Sequence, residues 1–302
     1  MFVIRHRAFF FALSGILVAA SLLLIALWGL RPGIDFTGGS IVEVEYAQAV
    51  PTLEQVTSSM TASGFSDVSV RASGDKGFII RTKALAEGDT NKILSALGVN
   101  GTYSPNVERI SSIGPTVGQE LRRKTYIAIF FVVLMIIFYV AFVFRQVSKP
   151  LSSWVYGLVA ILTLLHDIII PAGVFALLGH TIGLEADTLF VVALLTILGV
   201  SINDTLVVFD RVRENLHLNG ERGTKEPFAQ IVGRSLEQTY VRSFNTSFTV
   251  VLVLLILFFL GGPVIHTFIL TLLVGQIAGT YSSIFIASPL LVVFDNLQKK
   301  TK

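Results

Sequence analysis

Asp204 is the residue of this sequence with the clearest potential for chemistry, because its carboxyl group lies within a long apolar run. That run covers residues 189–209 and is followed by the charged pair Asp210 and Arg211. An ionisable group inside a membrane-spanning helix costs about 2.5–3.5 kcal/mol on insertion scales, so it usually faces a bundle interior and has a partner. We therefore expect Asp204 to serve a function.

Arg242 is the predicted partner of Asp204. Asp204 precedes Asp210 by six residues, and Arg242 follows Arg234 by eight. At about 1.5 Å per residue, both lie roughly one and a half to two helical turns inside the same membrane boundary. Burial and a neighbouring guanidinium act on the protonation of a carboxylate in opposite senses, so such a pair can be poised to gain and lose a proton. The sequence therefore predicts proton coupling at Asp204 and Arg242.

Further polar residues in the membrane segments are candidates for supporting roles. The predicted lining of the site comprises Ser201, Asn203, Thr205, Asn245, Thr246 and Thr249, with His166 and Asp167 as secondary candidates. A structural interpretation is the alternative, because polar side chains between membrane helices hold them together at about 0.6–2 kcal/mol each. We favour this alternative for the single serines and threonines, and the functional interpretation for Asp204 with Arg242. Arg242 also lies near enough to the membrane surface to snorkel. For His166 and Asp167, a relay and a structural pair both remain open.

The composition indicates a membrane protein. The chain has 302 residues, a mean hydropathy of +0.73 and only 14% charged residues, whereas a soluble domain has about 25%. A net charge of +3 does not indicate nucleic-acid binding. The lack of cysteine excludes thiol chemistry and Cys-ligated metals, and the sequence contains no HExxH, GxSxG or paired catalytic Asp motif. We expect no metal site, no cofactor and no enzymatic activity.

Six apolar segments of membrane-spanning length organise the chain. They cover residues 8–30, 125–144, 153–178, 189–209, 239–260 and 267–294. For the first segment, a retained helix is favoured over a cleaved signal peptide, because its apolar part is too long and a small-residue cleavage site is lacking. The predicted domains are residues 1–30 (amino terminus and first span), 31–124 (outer domain and linker), 125–294 (spans two to six) and 295–302 (basic tail).

The basic residues of the short loops predict the orientation of these spans. Lysines and arginines before the first span, after the second, after the fourth and after the sixth all fall on one side, whereas loops 180–188 and 261–266 contain none. By the positive-inside rule, both termini are cytoplasmic. Residues 31–124 then lie on the outer side of the membrane.

Residues 31–124 have the pattern of a small α+β domain. Strands are predicted at 41–46, 67–72, 77–83 and 106–112, with helices at 51–63 and 89–97. The order β-α-β-β-α-β is the ferredoxin-like arrangement. No phosphate loop or catalytic constellation is visible in it, which favours a contact module over an enzyme. Residues 114–124 are either a helix that continues the second span or an ordinary linker.

Several stretches resemble the SecD/SecF family of bacterial protein-export subunits, and its SecF members in particular. They are GIDFTGGS at 33–40 (with Gly33, Asp35, Gly38 and Gly39), IGPTVGQEL at 113–121, HD at 166–167, SINDTLVVFDRVREN at 201–215, QTYVRSFNTS at 238–247 and LGGPV at 260–264. The resemblance spans nearly the whole chain in the same order. It implies half of an RND-type bundle of six transmembrane helices, with a periplasmic ferredoxin-like domain between helices 1 and 2.

The resemblance also implies a function and a set of partners. It implies an accessory subunit of the Sec machinery in the bacterial inner membrane, which pairs with SecD and works beside the SecYEG translocon. YajC, membrane lipid and the unfolded exported polypeptide are further implied partners, and nucleic acid is not. The proton-motive force would promote release of exported proteins on the periplasmic side. Asp204 and Arg242 fall on the family's intramembrane acid and arginine implicated in proton flow, and SecD contributes a further essential acid.

Two alternatives to this function stay open on the sequence. One is a stand-alone RND-type half-transporter of a small molecule or lipid, for which an outer domain of about 90 residues offers little room for a substrate pocket. The other is a passive translocon scaffold, in which Asp204 would be dispensable.

Overall fold

The computed structural model describes residues 2–47, 49–65, 68–85, 89–99, 101–143, 151–224 and 226–301. Six residues that contribute to the predicted strands, spans and basic loops lie outside the described residues, namely Asp67, Phe144, Arg145, Lys149, Lys225 and Lys302. The chain forms two compact units. One comprises Met1–Arg31 and Ala128–Lys302, and the other comprises Pro32–Ile127.

The elements follow the predicted order. The helices are α1 (Phe2–Arg5), α2 (Arg7–Trp28), α3 (Ile34–Thr37), α4 (Leu53–Ala62), α5 (Asp89–Leu97), α6 (Pro115–Val143), α7 (Ser153–Thr181), α8 (Thr188–Glu221), α9 (Phe228–Leu260), α10 (Pro263–Ser282) and α11 (Ser288–Thr301), with a π-helical segment at Ser283–Ala287 between the last two. The strands are β1 (Gly39–Tyr46), β2 (Ser69–Ser73), β3 (Gly77–Thr82) and β4 (Pro105–Ile113).

Six helical segments of the described chain are long and apolar enough to cross a membrane, which confirms the predicted number of spans. They are α2, α6, α7, α8, α9 and the continuous stretch from α10 to α11. Several are longer than the apolar runs, because polar sequence prolongs the same helix. Residues 114–124 show this, since α6 begins at Pro115 and the helical alternative is the one observed. The last span likewise continues as helix to Thr301.

The helical unit packs around α7, α8 and α10. Small residues bring these helices close together: a Cβ placed on Gly275 would lie 2.1 Å from Ile197, and one on Gly279 would lie 3.1 Å from Ser201 Cβ. Gly173 of α7 similarly allows α2 to approach closely, because a Cβ placed on Gly173 would lie 2.3 Å from Ser21 Cβ. Such contacts let membrane helices gain van der Waals packing where no hydrophobic force drives them together. This central packing positions the polar side chains described below.

The other unit is an antiparallel sheet with two helices on it. The strand order is β2-β3-β1-β4, which confirms the ferredoxin-like arrangement. Helix α4 begins with a capping box formed by Thr52 and Gln55, and this reciprocal pair satisfies two otherwise unbonded amides. Tyr46 is buried in the core, where its hydroxyl donates to Leu97 O at 2.9 Å, and burial raises the pKa of Tyr46 to about 12.

The glycine pair at the start of β1 has a packing role within this unit. Gly33 and Gly38 flank α3, which contains Asp35, and Gly39 opens the strand. Gly38 has φ of +74°, and a Cβ there would lie 2.8 Å from Pro115 Cα. The two segments 33–40 and 113–121 therefore lie directly against each other.

Gly38→Ala tests this packing, because the substitution adds both backbone strain and a clash with Pro115. We expect a loss of roughly 2–4 kcal/mol in unfolding free energy, measured as a lower thermal midpoint of the purified protein. Gly64→Ala is the matched control: Gly64 also has positive φ, of +92°, but its Cβ would meet nothing within 4 Å. The control should cost about 1 kcal/mol. Equal effects of the two substitutions would contradict the close approach.

Candidate functional site

Asp204 is buried in the helical unit, with 6% of its surface exposed. It lies on the same face of α8 as the buried residues Ser201 and Val208. Ser247 of α9 donates a hydrogen bond to Asp204 Oδ2 at 3.3 Å. Among the described residues, this hydroxyl is the hydrogen-bond partner of the Asp204 side chain. The carboxyl group is therefore enclosed by protein and only sparsely bonded.

Asp167 forms a second, contrasting carboxyl site in the same bundle. Its side chain is fully buried and accepts hydrogen bonds from three others. His166 Nδ1 lies 2.8 Å from Asp167 Oδ1, Ser282 donates to Oδ2 at 2.9 Å, and Ser201 also donates to Oδ2. The ring of Tyr281 stacks on His166. This cluster links α7, α8 and α10, so the structure places His166 and Asp167 in helix packing.

Thr205 forms a further link between α8 and the last span. Its hydroxyl lies 2.9 Å from Ser283 Oγ, and both side chains are buried. Ser283 begins the π-helical segment, a local widening that is frequent at functional sites and shifts side chains from the regular helical phase. Pro289 follows this segment and has no amide to donate.

Arg242 does not form the predicted ion pair. Both Arg242 and Asp204 belong to the described residues, and no ion pair within 4.0 Å joins them. Arg242 is exposed on the outer side of α9, because it lies one residue from the buried Ser243, a rotation of about 100° around the helix. The direct Asp204–Arg242 pair predicted from depth alone is therefore wrong for this chain by itself.

The residues predicted to line Asp204 do not surround it in the structure. Ser201 and Thr205 are buried, but they bond to Asp167 and Ser283 rather than to Asp204. The side chains of four others are exposed and do not line the buried carboxyl group, namely Asn203, Asn245, Thr246 and Thr249. The hydroxyls of Thr246 and Thr249 donate to carbonyls of their own helix.

A polar groove of about 530 Å³ opens between α6, α8 and α9. Arg242 and Asn203 lie on it with Thr239. Its remaining lining is Tyr139, Val143, Leu206, Val207, Asp210, Arg211, Glu214 and Gln238. The groove therefore brings two of the predicted site residues together near the basic end of the bundle, where Arg211 and Glu214 form an ion pair at 2.6 Å.

A hydrogen-bond network holds α8 against α9 beside this groove. Asn215 Nδ2 donates to Ser235 Oγ and to Gln238 Oε1, both at 2.8 Å, and Arg211 Nε donates to the same Gln238 oxygen at 2.7 Å. Asn215 and Ser235 are buried. The network fixes the rotation of α9 relative to α8, and with it the position of Ser247.

Sequence reasoning missed the serines that bond to the two carboxyl groups. Ser247 bonds to Asp204 and Ser282 to Asp167. A signal for Ser247 was present, because Ser235, Thr239, Ser243 and Ser247 repeat at four-residue spacing along one face of α9. No comparable repeat pointed to Ser282.

The comparison with known families gives a clear result. Residues 95–297 match the family described as "Protein export membrane protein SecD/SecF, C-terminal", and residues 29–50 match "SecD/SecF GG Motif". The chain belongs to the SecD/SecF family. The second match contains Gly38, which packs against Pro115, and Gly39, which packs against Thr82 O and Ile34; both have positive φ, which gives a physical reason for this glycine motif.

Similar proteins of this family match over nearly their whole length. A "Protein translocase subunit SecF" from Thermobaculum terrenum is 40% identical, covering 97% of this chain and 94% of that protein. One from Desulfurispirillum indicum is 38% identical, covering 95% and 90%. The chain is thus a membrane protein with a role in Sec protein export. Its relatives are named as translocase subunits and not for a catalysed reaction.

Solved structures of SecDF have the same fold. The crystal structure of SecDF, a translocon-associated membrane protein, from Thermus thermophilus matches with a TM-score of 0.83 and 32% identity, over 97% of this chain and 38% of that one. SecDF in a super-membrane-facing form matches with a TM-score of 0.66 and 33% identity, over 96% and 38%. The chain therefore spans 38% of the length of these SecDF chains.

Asp167→Ala tests whether the Asp167 cluster is a structural link. The substitution leaves three buried donors without their acceptor, and each unsatisfied buried group costs about 1–3 kcal/mol. We expect a clearly lower thermal midpoint of the protein in detergent. Asp210→Ala is the control, because this exposed aspartate pairs with Arg213 at the surface and such pairs contribute about 0–1 kcal/mol. Equal midpoints of the two variants would argue against the link.

Proposed function

We propose that this chain is the SecF-type half of a proton-driven export complex. It pairs with SecD in the bacterial inner membrane and uses the proton-motive force to promote release of exported proteins on the periplasmic side. The contrast between Asp204 and the other buried carboxyl groups carries this proposal, since Asp295, a third buried aspartate, pairs with Lys299 at 2.6 Å. Asp167 accepts three hydrogen bonds, whereas Asp204 accepts one, from Ser247 at 3.3 Å.

This contrast separates a structural role from a proton-binding role. Protonating Asp167 would disturb three hydrogen bonds that join three helices. Protonating Asp204 would disturb one long bond, and the neutral acid is the form that a membrane interior favours. Asp204 is therefore the carboxyl group that can change its charge without dismantling the bundle.

The outer face of α9 supports the need for a second chain. Only 17% of the most apolar part of α9 is buried within the chain, against 61% for the last span. The exposed side carries Arg242, Asn245, Thr246 and Thr249, and polar groups facing lipid in a membrane helix are costly. We propose that SecD covers this face. The greater part of each SecDF chain lies outside the match, which supports a partner of that kind.

Arg242 then acts within the assembled complex. Its guanidinium lies at the border between the polar groove and the face that SecD would cover. In the complex, this guanidinium would pair alternately with a carboxylate of SecD and with Asp204 as protons bind and leave. A proton crossing the membrane releases about 2.3 kcal/mol per 100 mV, which suffices to shift two conformations that differ by a few kcal/mol.

The remaining parts of the proposal follow from family membership and loop charge. Both termini and the polar groove face the cytoplasm, and the α+β unit faces the periplasm. The complex works beside the SecYEG translocon and YajC, surrounded by membrane lipid, and its substrate is the unfolded exported polypeptide.

Asp204→Asn tests the proposed function in the assembled complex. We expect normal assembly with SecD and loss of the gradient-dependent part of protein export, because the amide cannot exchange a proton. The measurement is export into vesicles with and without an imposed proton gradient. Glu221→Gln is the control, since it neutralises an exposed acid on the same helix and should export normally. Full gradient dependence in Asp204→Asn would contradict the proposal and favour a passive scaffold.

A further inference from the structure

One face of α9 carries a row of buried hydroxyl groups that points to Asp204. Ser235, Thr239, Ser243 and Ser247 follow each other at four-residue spacing, and each is at most 7% exposed. This face is distinct from the outer face with Arg242. A row of serines is often only a packing feature, so its role depends on what its hydroxyls bond to.

The two ends of the row are connected to the candidate site. At one end, Ser247 Oγ donates to Asp204 Oδ2 at 3.3 Å. Near the other end, Thr239 lies on the polar groove, and Ser235, the last hydroxyl of the row, accepts a hydrogen bond from Asn215 beside that groove. The row therefore runs from the buried carboxyl group to the basic, solvent-open end of the bundle.

Ser243 differs from the other hydroxyls of the row. Ser235 and Thr239 donate to carbonyls one turn back in the same helix, Ser235 Oγ to Ile231 O at 2.8 Å and Thr239 Oγ1 to Ser235 O at 3.0 Å. Ser243 Oγ is buried and has no hydrogen-bond partner among the described residues. An unpaired buried hydroxyl costs free energy, and ordered water commonly satisfies such a group.

The distance between successive hydroxyls of the row suits one bridging water molecule. Residues four apart are about 6 Å apart along the axis, which is too far for a direct O–H···O hydrogen bond of about 2.8 Å. One water molecule between two hydroxyls spans about twice that bond length. Ser243 lies midway between Thr239 and Ser247, so its free hydroxyl is placed to hold a water on either side.

We propose that Thr239, Ser243 and Ser247 form a water-bridged path through which Asp204 exchanges its proton with the polar groove. This inference rests on the proposed function, and it adds the route by which the proton leaves. The Asp204 acid gives its proton to the hydroxyl and water chain, in which each step breaks one O–H bond and forms another. Asp204 is left as a carboxylate, and a proton is released to water in the groove. Ser243 is a positioning residue that holds the central waters.

An isosteric pair of substitutions at Ser243 tests the path. Ser243→Thr keeps the hydroxyl, and Ser243→Val has the same shape without it. In vesicles carrying the complex with SecD, we expect Ser243→Val to lower gradient-driven proton flux about tenfold relative to Ser243→Thr, because a water site is lost. Ser243→Ala, which adds no bulk, should also lose flux. Ser14→Ala removes a similarly buried serine from α2 and should retain it.

Asp204→Asn, measured in the same vesicles, distinguishes failure of the hydroxyl path from failure of the proposed function. If Asp204→Asn blocks flux while Ser243→Val and Ser243→Thr behave alike, the hydroxyl path is wrong and the proposed function stands. If Asp204→Asn leaves the flux intact, the proposed function and the path both fail.

Discussion

The desolvation of carboxyl groups inside the helical unit is the constraint on which the rest of the structure depends. Three of the described aspartates are buried among the membrane-length helices; Asp295 pairs with Lys299, and the other two have contrasting surroundings. Asp167 is surrounded by His166, Ser201 and Ser282, which replace the lost hydration with fixed donors. Asp204 receives one hydroxyl. The first arrangement ties its carboxyl group to three helices, whereas the second leaves its carboxyl group with few hydrogen bonds to lose, which is the basis of the role proposed for Asp204.

The same constraint explains the arrangement of the helices around these two residues. Gly275 and Gly279 bring α10 close to α8, and Gly279 also lies beside Asp167 of α7, whose Oδ2 would be 3.7 Å from a Cβ there, so Ser282 of α10 reaches Asp167. The network at Asn215 and Gln238 then sets the rotation of α9, so that Ser247 meets Asp204. The outer face of α9, with Arg242, is exposed among the described residues. The sparsely bonded Asp204 and the exposed Arg242 fit the proposed role as part of a larger proton-conducting assembly.

Much of the fold could be predicted from the sequence, because it depends on patterns within single segments. The lengths of the apolar runs predicted six spans. Strand and turn patterns predicted the ferredoxin-like sheet, and the predicted bounds of α5 are those observed. The site was harder, because depth along a helix can be counted whereas rotation about its axis depends on the neighbouring helices. Arg242 and Ser243 differ by one position, yet one is exposed and the other buried. The sequence therefore predicted a polar partner for Asp204 on α9 but placed that partner on the wrong face of the helix.

The central claim is that Asp204, and not Asp167, binds and releases the proton. Infrared difference spectroscopy of the complex with SecD, recorded while the pH is lowered, tests this directly through the C=O stretch of a protonated carboxylic acid. We expect one pH-dependent component of this band to be present in the unmodified protein, retained in Asp167→Asn and missing in Asp204→Asn. A band that disappears in Asp167→Asn and persists in Asp204→Asn would contradict it.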